Sequence, residues 1–255
     1  MTDIYQIALT MINGIGDILA RNLLQTLGSP EAIFTEKRRL LEKIPGIGNT
    51  LATEIRRPEG LKQAERELEF IEKNNITCYY IGSPNYPKRL KECDDAPILF
   101  YFKGKTNLDA TRIISVVGTR MATEYGKTLT ESLIRDLSSS YPDLLIVSGL
   151  AYGIDICAHR NALKYNLPTI GVLAHGLDRI YPSNHRNTAI DMLQCGGLLT
   201  DFPSETNPDR PNFVKRNRIV AGLSDATIVI ESADKGGSLI TADIAFSYGR
   251  DIFTF

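Results

Sequence analysis

The hydrophobic pattern divides the chain into two parts with different periods. Up to about residue 75, apolar positions recur at helical spacing, and one helix is predicted after another. From residue 76 the pattern changes to short apolar runs rich in aromatic or β-branched residues, which predict strands. We therefore expect a small all-helical domain over residues 1–75 and a second domain over residues 76–255.

The second part alternates strands and helices in a regular order. Its central strands are continuously apolar, and such strands belong to a parallel sheet that is covered on both faces. The predicted fold class is therefore α/β, with a Rossmann-like, doubly wound and mainly parallel sheet. The predicted strands cover residues 77–82, 98–104, 113–117, 144–148, 169–173, 197–201, 226–230 and 251–255, with helices over about 123–138, 153–165, 185–195, 212–223 and 238–248.

Two short segments of the first part resemble each other, INGIGDILARNLL at 12–24 and IPGIGNTLATEIR at 44–56. Each has a Gly-Ile-Gly turn that leads into a helix, as in helix-hairpin-helix units, and an alanine one turn further on allows close packing. Such turns can present backbone N–H groups to a phosphate, or they can serve only to pack the domain. Asp17 and Asn49, at the entry positions, are not basic, so the sequence leaves both roles open.

Composition narrows the classes of function. The chain has 29 Lys and Arg against 30 Asp and Glu, so any binding of nucleic acid must depend on a local patch.

No apolar run is long enough to span a bilayer and no signal peptide precedes the first helix, so we expect a cytoplasmic protein without a membrane contact. The four cysteines are scattered and predict neither a zinc site nor a disulfide framework. The chain ends on the strand-like DIFTF, so we expect the natural protein to continue.

The loops after the predicted strands carry the candidate chemistry, because ligands of doubly wound sheets bind beyond the carboxyl ends of the strands. Gly118, Thr119 and Arg120 follow the first parallel strand and combine a close backbone approach, a hydroxyl and a guanidinium group. Ser148 and Gly149 follow the next strand. Neither a GxGxxG fingerprint nor a Walker A lysine is present, so we predict an anion site without a cofactor.

A basic cluster lies where a loop enters the helix predicted over 212–223. Its positive charges have no acid between them and lie beside an aromatic ring that could stack on a base or belong to the core. The two arginines at 216 and 218 cannot share a helix face, and one of them could instead pair with Asp201, Asp225 or Glu231. The cluster consists of Arg210, Lys215, Arg216 and Arg218, with Phe213 and Asn217 beside them.

The histidines do not predict a catalytic or metal site. His159 lies one helical turn after Asp155, an arrangement typical of a stitched helix end, and His175 and His185 add no metal-ligand spacing. Ser148 lacks the GxSxG elbow of a nucleophile. We therefore expect no catalytic residue and no metal.

Five motifs of the second part resemble, in order, those of the DNA-processing protein A (DprA, or Smf) family: VVGTR, SGLAYGIDICAH, GLDRIYPSNH, FVKRNRIVAGLS and GGSLITADIAFSYGRDIF. The resemblance implies a non-catalytic, sequence-independent single-stranded DNA binding protein that protects incoming DNA and loads the RecA recombinase during natural transformation. It also implies a homodimer formed through the Rossmann-like domain, and a small winged-helix-like domain after it.

The same resemblance implies the site residues. The family's Gly-Ser/Thr-Arg site matches Gly118, Thr119 and Arg120, and its basic-aromatic strip matches Phe213, Lys215, Arg216, Asn217 and Arg218. Tyr152 departs from the pattern, because it stands where the family usually has a basic residue. Its ring could replace the missing phosphate contact by stacking on a base.

Two alternatives compete with this interpretation. Nucleotide-hydrolysing enzymes that resemble lysine decarboxylases have a related domain, with a last loop of the form PGGxGTxxE. In KGGSLITAD, however, Leu239, Ile240 and Asp243 stand where that chemistry needs glycine, threonine and glutamate. The other alternative is a protein-docking module.

Overall fold

The computed structural model describes residues 3–255. It contains two compact units. The first comprises the chain up to Pro84 together with Pro97–Phe100, and the second comprises Asn85–Ala96 and Tyr101–Phe255. Within residues 3–255, none of the helices combines the length and apolar character needed to cross a membrane.

Within the described residues, six helices and the strand β1 belong to the first unit. Local capping defines several of their starts: Asp3 and Gln6 form a capping box at the first helix, and the Ser29 side chain accepts from the Ala32 N–H, with Pro30 at the first position of the third helix. The elements are α1 (Ile4–Thr10), α2 (Asp17–Leu27), α3 (Pro30–Thr35), α4 (Arg38–Leu41), α5 (Asn49–Ile55), α6 (Pro58–Lys73) and β1 (Thr77–Tyr80).

The two Gly-Ile-Gly turns form a reciprocal pair. Gly14 and Gly46 have φ of +82° and +86°, in the left-handed region that favours glycine. A Cβ at Gly14 would lie 2.8 Å from Leu51 Cδ2, and a Cβ at Gly46 would lie 2.8 Å from Leu19 Cδ2. Each turn is therefore covered by a leucine from the helix of the other hairpin, and the backbone angle favours glycine at both positions.

The second unit contains the predicted alternation. Its strands are β2 (Leu99–Gly104, which begins in the first unit), β3 (Ile113–Val117), β4 (Leu145–Ser148), β5 (Thr169–Val172), β6 (Gly197–Thr200), β7 (Ala226–Val229) and β8 (Asp251–Thr254). Its helices are α7 (Lys88–Lys91), α8 (Glu124–Ser140), α9 (Ile154–Lys164), α10 (Arg186–Cys195), α11 (Arg210–Gly222) and α12 (Gly237–Ser247), with a 3-10 turn at Ser183–His185. The short α7 lies in a segment for which the sequence predicted only turns.

The strand order is β1-β2-β6-β5-β4-β3-β7-β8. Pairing is parallel from β6 through β8, and β2 pairs antiparallel with β6. The chain first moves outward from β3 through β4 and β5 to β6, and then returns to the other side of β3 with β7. With right-handed crossovers, this reversal places α8–α10 and α11–α12 on opposite faces of the sheet. The prediction of a Rossmann-like α/β fold behind a helical region is confirmed.

The reversal also locates a crevice. β3 lies between β4 and β7, and the connections from β3 and β7 leave toward opposite faces, so the loops at their carboxyl ends separate. The strands beneath are buried almost throughout, because helices cover both faces.

Candidate functional site

A pocket of about 600 Å³ opens at this crevice. Its walls come from the loops after β3, β4 and β7, from α11 along most of its length and from the start of α12. The pocket lies where strand-end ligands of doubly wound sheets bind, which is the position expected from the sequence.

The loop after β3 is held tightly from both sides. The Thr119 N–H donates to the Glu231 carbonyl at 2.7 Å, and the Thr119 carbonyl accepts from the Ile154 N–H at 3.1 Å. A Cβ at Gly118 would lie 2.4 Å from Ile154 Cγ1, so only glycine fits here. This fixed backbone places the exposed Arg120 side chain at the pocket.

Arg120 meets α11 across the pocket. Its guanidinium carbon lies 5.0 Å from the centre of the Phe213 ring, a cation–π distance. The Tyr181 ring also contacts Phe213, with ring centres 6.0 Å apart. The structure thus brings together two groups that lie more than ninety residues apart in the sequence.

Helical geometry sorts the basic cluster of α11. Phe213, Arg216 and Asn217 are spaced i, i+3 and i+4 and all line the pocket, whereas Lys215 and Arg218 do not. The Lys215 side chain is half-exposed, with Nζ 3.5 Å from Asp201 Oδ2.

Arg216 forms part of the pocket floor and is only 4% exposed. Its Nη1 donates to the Val172 carbonyl at 2.7 Å, and its guanidinium group packs on Gly149. Burial lowers the pKa of Arg216; the nearby Asp155 carboxylate opposes this effect and the Arg120 charge adds to it. Burial likewise raises the pKa of Asp155, with Arg216 opposing. The floor therefore holds two buried groups of opposite charge, and the exposed cations above them determine the sign of the pocket.

Two of the residues proposed from the sequence lie in the interior. Arg218 Nη2 is 2.5 Å from Asp201 Oδ2, and both side chains are buried. The Ser148 hydroxyl is fully buried and donates to the Val116 carbonyl at 2.6 Å. The structure realises the alternative in which one of the two arginines pairs with Asp201. Both residues stabilise the framework and are not available to a ligand in the pocket.

Tyr152 also lies outside the pocket lining. Its ring is 44% exposed and contacts His185 edge to face, with ring centres 5.1 Å apart. It remains accessible next to the glycine that begins α9.

The last loop contributes groups that the sequence did not single out. Lys235 is exposed and lines the pocket beside Gly236, Gly237 and Ser238, where α12 begins. α12 begins at the pocket wall, and no acidic residue in its first turn neutralises the positive end of its dipole. The strand-end rule points to this loop, but no residue pattern within it identified Lys235.

The histidines do not form a site. His159 is fully buried, its Nδ1 lies 2.7 Å from Thr169 Oγ1, and burial lowers its pKa to about 3. Within residues 3–255, no group of three His, Cys, Asp or Glu side chains is arranged to hold a metal ion.

Comparison with known proteins identifies the family. Residues 77–255 match the family model described as DNA recombination-mediator protein A. The chain belongs to this family. The resemblance noted from the five motifs is thereby confirmed, and residues 7–57 match a SAM-like helix-hairpin-helix tandem.

Relatives of the family align over much of the chain. The DNA processing protein DprA of Bacillus subtilis is 40% identical over 189 residues, which is 74% of this chain and 63% of the relative. The X-ray structure of DprA from Streptococcus pneumoniae has a TM-score of 0.78 at 30% identity and covers 99% of this chain and 86% of that one. A Helicobacter pylori DprA structure, described by its single-stranded DNA binding mode, has a TM-score of 0.63 at 33% identity and covers 70% of this chain and 80% of that one. The chain spans less than two thirds of the length of the B. subtilis relative.

Proposed function

We propose that the pocket binds the sugar-phosphate backbone of single-stranded DNA without sequence preference. The observation that carries this proposal is the convergence of Arg120, Phe213 and Lys235 on one pocket whose walls are glycine backbone and a helix start. The H. pylori relative, whose structure is described by its single-stranded DNA binding mode, supports it.

The chemistry of the lining suits an unpaired strand. Arginine, lysine and backbone N–H groups bind phosphate oxygens whatever base is attached. The Phe213 ring, flanked by Tyr181, offers a stacking surface, and every base has a face that can use it.

We further propose that the protein acts as a mediator and not as an enzyme. The pocket's one lining carboxylate, among the described residues, is Asp155. It is buried, its Oδ2 accepts from the Ala151 N–H at 3.4 Å and the Arg216 charge lies nearby, so we assign it to the framework of the pocket floor. Protection of incoming DNA, loading of RecA during natural transformation and homodimerisation in the cytoplasm are proposed from family membership.

Fluorescence anisotropy of labelled oligo-dT over a salt series tests the pocket. We expect Arg120→Ala and Lys235→Ala each to reduce the magnitude of the salt slope by about 0.7. We expect Phe213→Ala to weaken binding by about 1–3 kcal/mol with little change in slope. Arg135→Ala is the matched control, because Arg135 is exposed on α8, pairs with Asp136 and lies outside the pocket lining.

Wild-type affinity and slope in all three pocket variants would contradict the proposed site. Release of free base from nucleoside monophosphates at enzymatic rates would instead favour the nucleotide-hydrolysing alternative. RecA loading is tested separately, by the ATPase of RecA on DNA coated beforehand with single-strand binding protein.

A further inference from the structure

The two hairpins of the first unit share one backbone arrangement but differ in the charge of their surfaces. A shift of 32 residues superposes Gly14, Gly16 and Ala20 of the first hairpin on Gly46, Gly48 and Ala52 of the second. The reciprocal packing of Leu19 and Leu51 on the two turns shows that this sequence repeat is also a structural one.

Under this shift, every cation of the second hairpin replaces an uncharged residue of the first. The second hairpin carries Lys37, Arg38, Arg39, Lys43, Arg56 and Arg57, and we call these six residues the second-hairpin surface. Their counterparts are Tyr5, Gln6, Ile7, Met11, Leu24 and Gln25. The positive charge therefore distinguishes the second hairpin from the first at equivalent positions, and the shared backbone arrangement does not require it.

The first hairpin is used for internal packing. Its helix α1 packs against α3 and α6, and Ile7, the counterpart of Arg39, is fully buried. At the start of α2, the Asp17 carboxylate accepts the Ile98 N–H at 2.9 Å. This turn is therefore occupied by the protein's own backbone.

The second hairpin presents its cations to solvent. All six side chains are exposed, and three glutamates, Glu36, Glu42 and Glu54, leave an excess of three positive charges in a chain of net charge −1. Two of the glutamates pair with cations, in Arg38–Glu42 at 2.8 Å and Arg57–Glu54 at 2.9 Å.

The remaining cations are available to a ligand. Lys37, Arg39 and Lys43 have no ion pair within the described residues 3–255, and Arg56 donates only to backbone carbonyls, including that of Glu36 at 2.8 Å. Arg38 also contacts Asn49 at the start of α5, and Arg56 contacts the Glu36 carbonyl before α4, so the two cation-bearing arms of the hairpin are in contact.

We propose that the second-hairpin surface is a separate contact for a phosphodiester backbone. Phosphate is favoured over a protein partner because protein interfaces need an apolar or aromatic centre. Among residues 35–57, Leu40 is the one large apolar side chain that is strongly exposed. The inference rests on the proposed function only in taking nucleic acid as the polyanion, and it does not depend on the pocket residues.

The test uses the full chain with Arg39→Gln and Lys43→Gln combined. Anisotropy is measured over a salt series with oligo-dT and with a duplex of equal length. We expect the slope to fall by about 1.4 for the single strand or by about 1.8 for the duplex, since two phosphate contacts are removed. The ligand for which the slope falls identifies the form of DNA that the surface binds.

The control removes the same charge from the same unit. Lys62→Gln with Lys73→Gln, both exposed on α6, should leave both slopes unchanged. A charge-preserving swap, Arg39→Lys with Lys43→Arg, should retain the wild-type slope even if it alters the melting temperature. The inference is overturned if the Gln pair matches the control with both ligands, or if the swap loses as much slope as the Gln pair.

Repeating the series in an Arg120→Ala, Lys235→Ala background separates this inference from the pocket. If the pocket variants alone keep full affinity and the hairpin variants do not, the proposed pocket fails and the second-hairpin surface stands. The opposite result leaves the pocket and rejects the hairpin contact.

Discussion

Gly149→Ala is the sharpest test of how the pocket floor is built. A Cβ at this position would lie 1.7 Å from Nη1, 2.3 Å from Nη2 and 2.4 Å from Cζ of Arg216. Gly149 does not have a left-handed φ, so alanine is compatible with the backbone and only the contact with the guanidinium group opposes it.

The expected loss of stability follows from the contacts that the Arg216 guanidinium group would lose. Arg216 would lose its 2.7 Å hydrogen bond to the Val172 carbonyl and move away from the buried Asp155 carboxylate. Separating two buried groups of opposite charge typically lowers stability by up to about 3–5 kcal/mol. Because the displaced side chain can move toward the open pocket, we expect the lower end, about 3 kcal/mol.

Urea unfolding of a double-mutant cycle measures the effect. In an Arg216→Met background the clash is gone, so Gly149→Ala should lower stability by less than about 1 kcal/mol, giving a coupling energy of about 2 kcal/mol. Equal losses in both backgrounds, or a loss below about 1 kcal/mol in the wild type, would refute this account of the floor.

Three further predictions concern the framework. The pKa of His159 is about 3 in the folded protein against an ordinary value of 6.5, so stability should fall as pH drops from about 6.5 toward 3. The loss between pH 8 and pH 5 is about 2 kcal/mol, and urea midpoints for His159→Gln should lack it. Arg218→Ala should lower the free energy of unfolding by about 3 kcal/mol, because it leaves the buried Asp201 carboxylate with the half-exposed Lys215, 3.5 Å away, in place of its buried partner; a loss no larger than that of exposed Arg135→Ala would contradict the buried pair. Gly153→Ala combines a φ of +76° with a Cβ placed 2.1 Å from the Thr119 carbonyl oxygen. Both the melting temperature and the oligo-dT affinity should therefore fall. Wild-type values for both would show that the loop after β3 adjusts to the added methyl group at little cost.

The order and type of the sheet elements could be predicted because each is a local property. Continuously apolar runs such as IISVV and LLIVS predict strands that are buried on both faces. The helices between them are recognised by the helical spacing of their apolar residues. The short helix Lys88–Lys91 escaped prediction because one turn has no period to detect.

The position of the candidate site could be predicted from the sequence, but the set of residues that form it could not. The strand-end rule located the loops of Gly118 and Gly149, and the structure places both at one pocket. The sequence could not show which of Arg216 and Arg218 lines the pocket, because both lie on a helix that is buried on more than one side. Their roles depend on Val172, at the end of β5, and on Asp201, directly after β6.

Sequence alone determined the alternation of strands and helices, the repeat of the Gly-Ile-Gly turns and the family, because these depend on residue types at short spacing. Tertiary structure decided which cations are free. A charged side chain binds a ligand or stabilises the fold depending on its surroundings. Arg218 pairs with the buried Asp201, whereas Lys235 is exposed to solvent. Both surroundings are set by the packing of segments that are distant in the sequence.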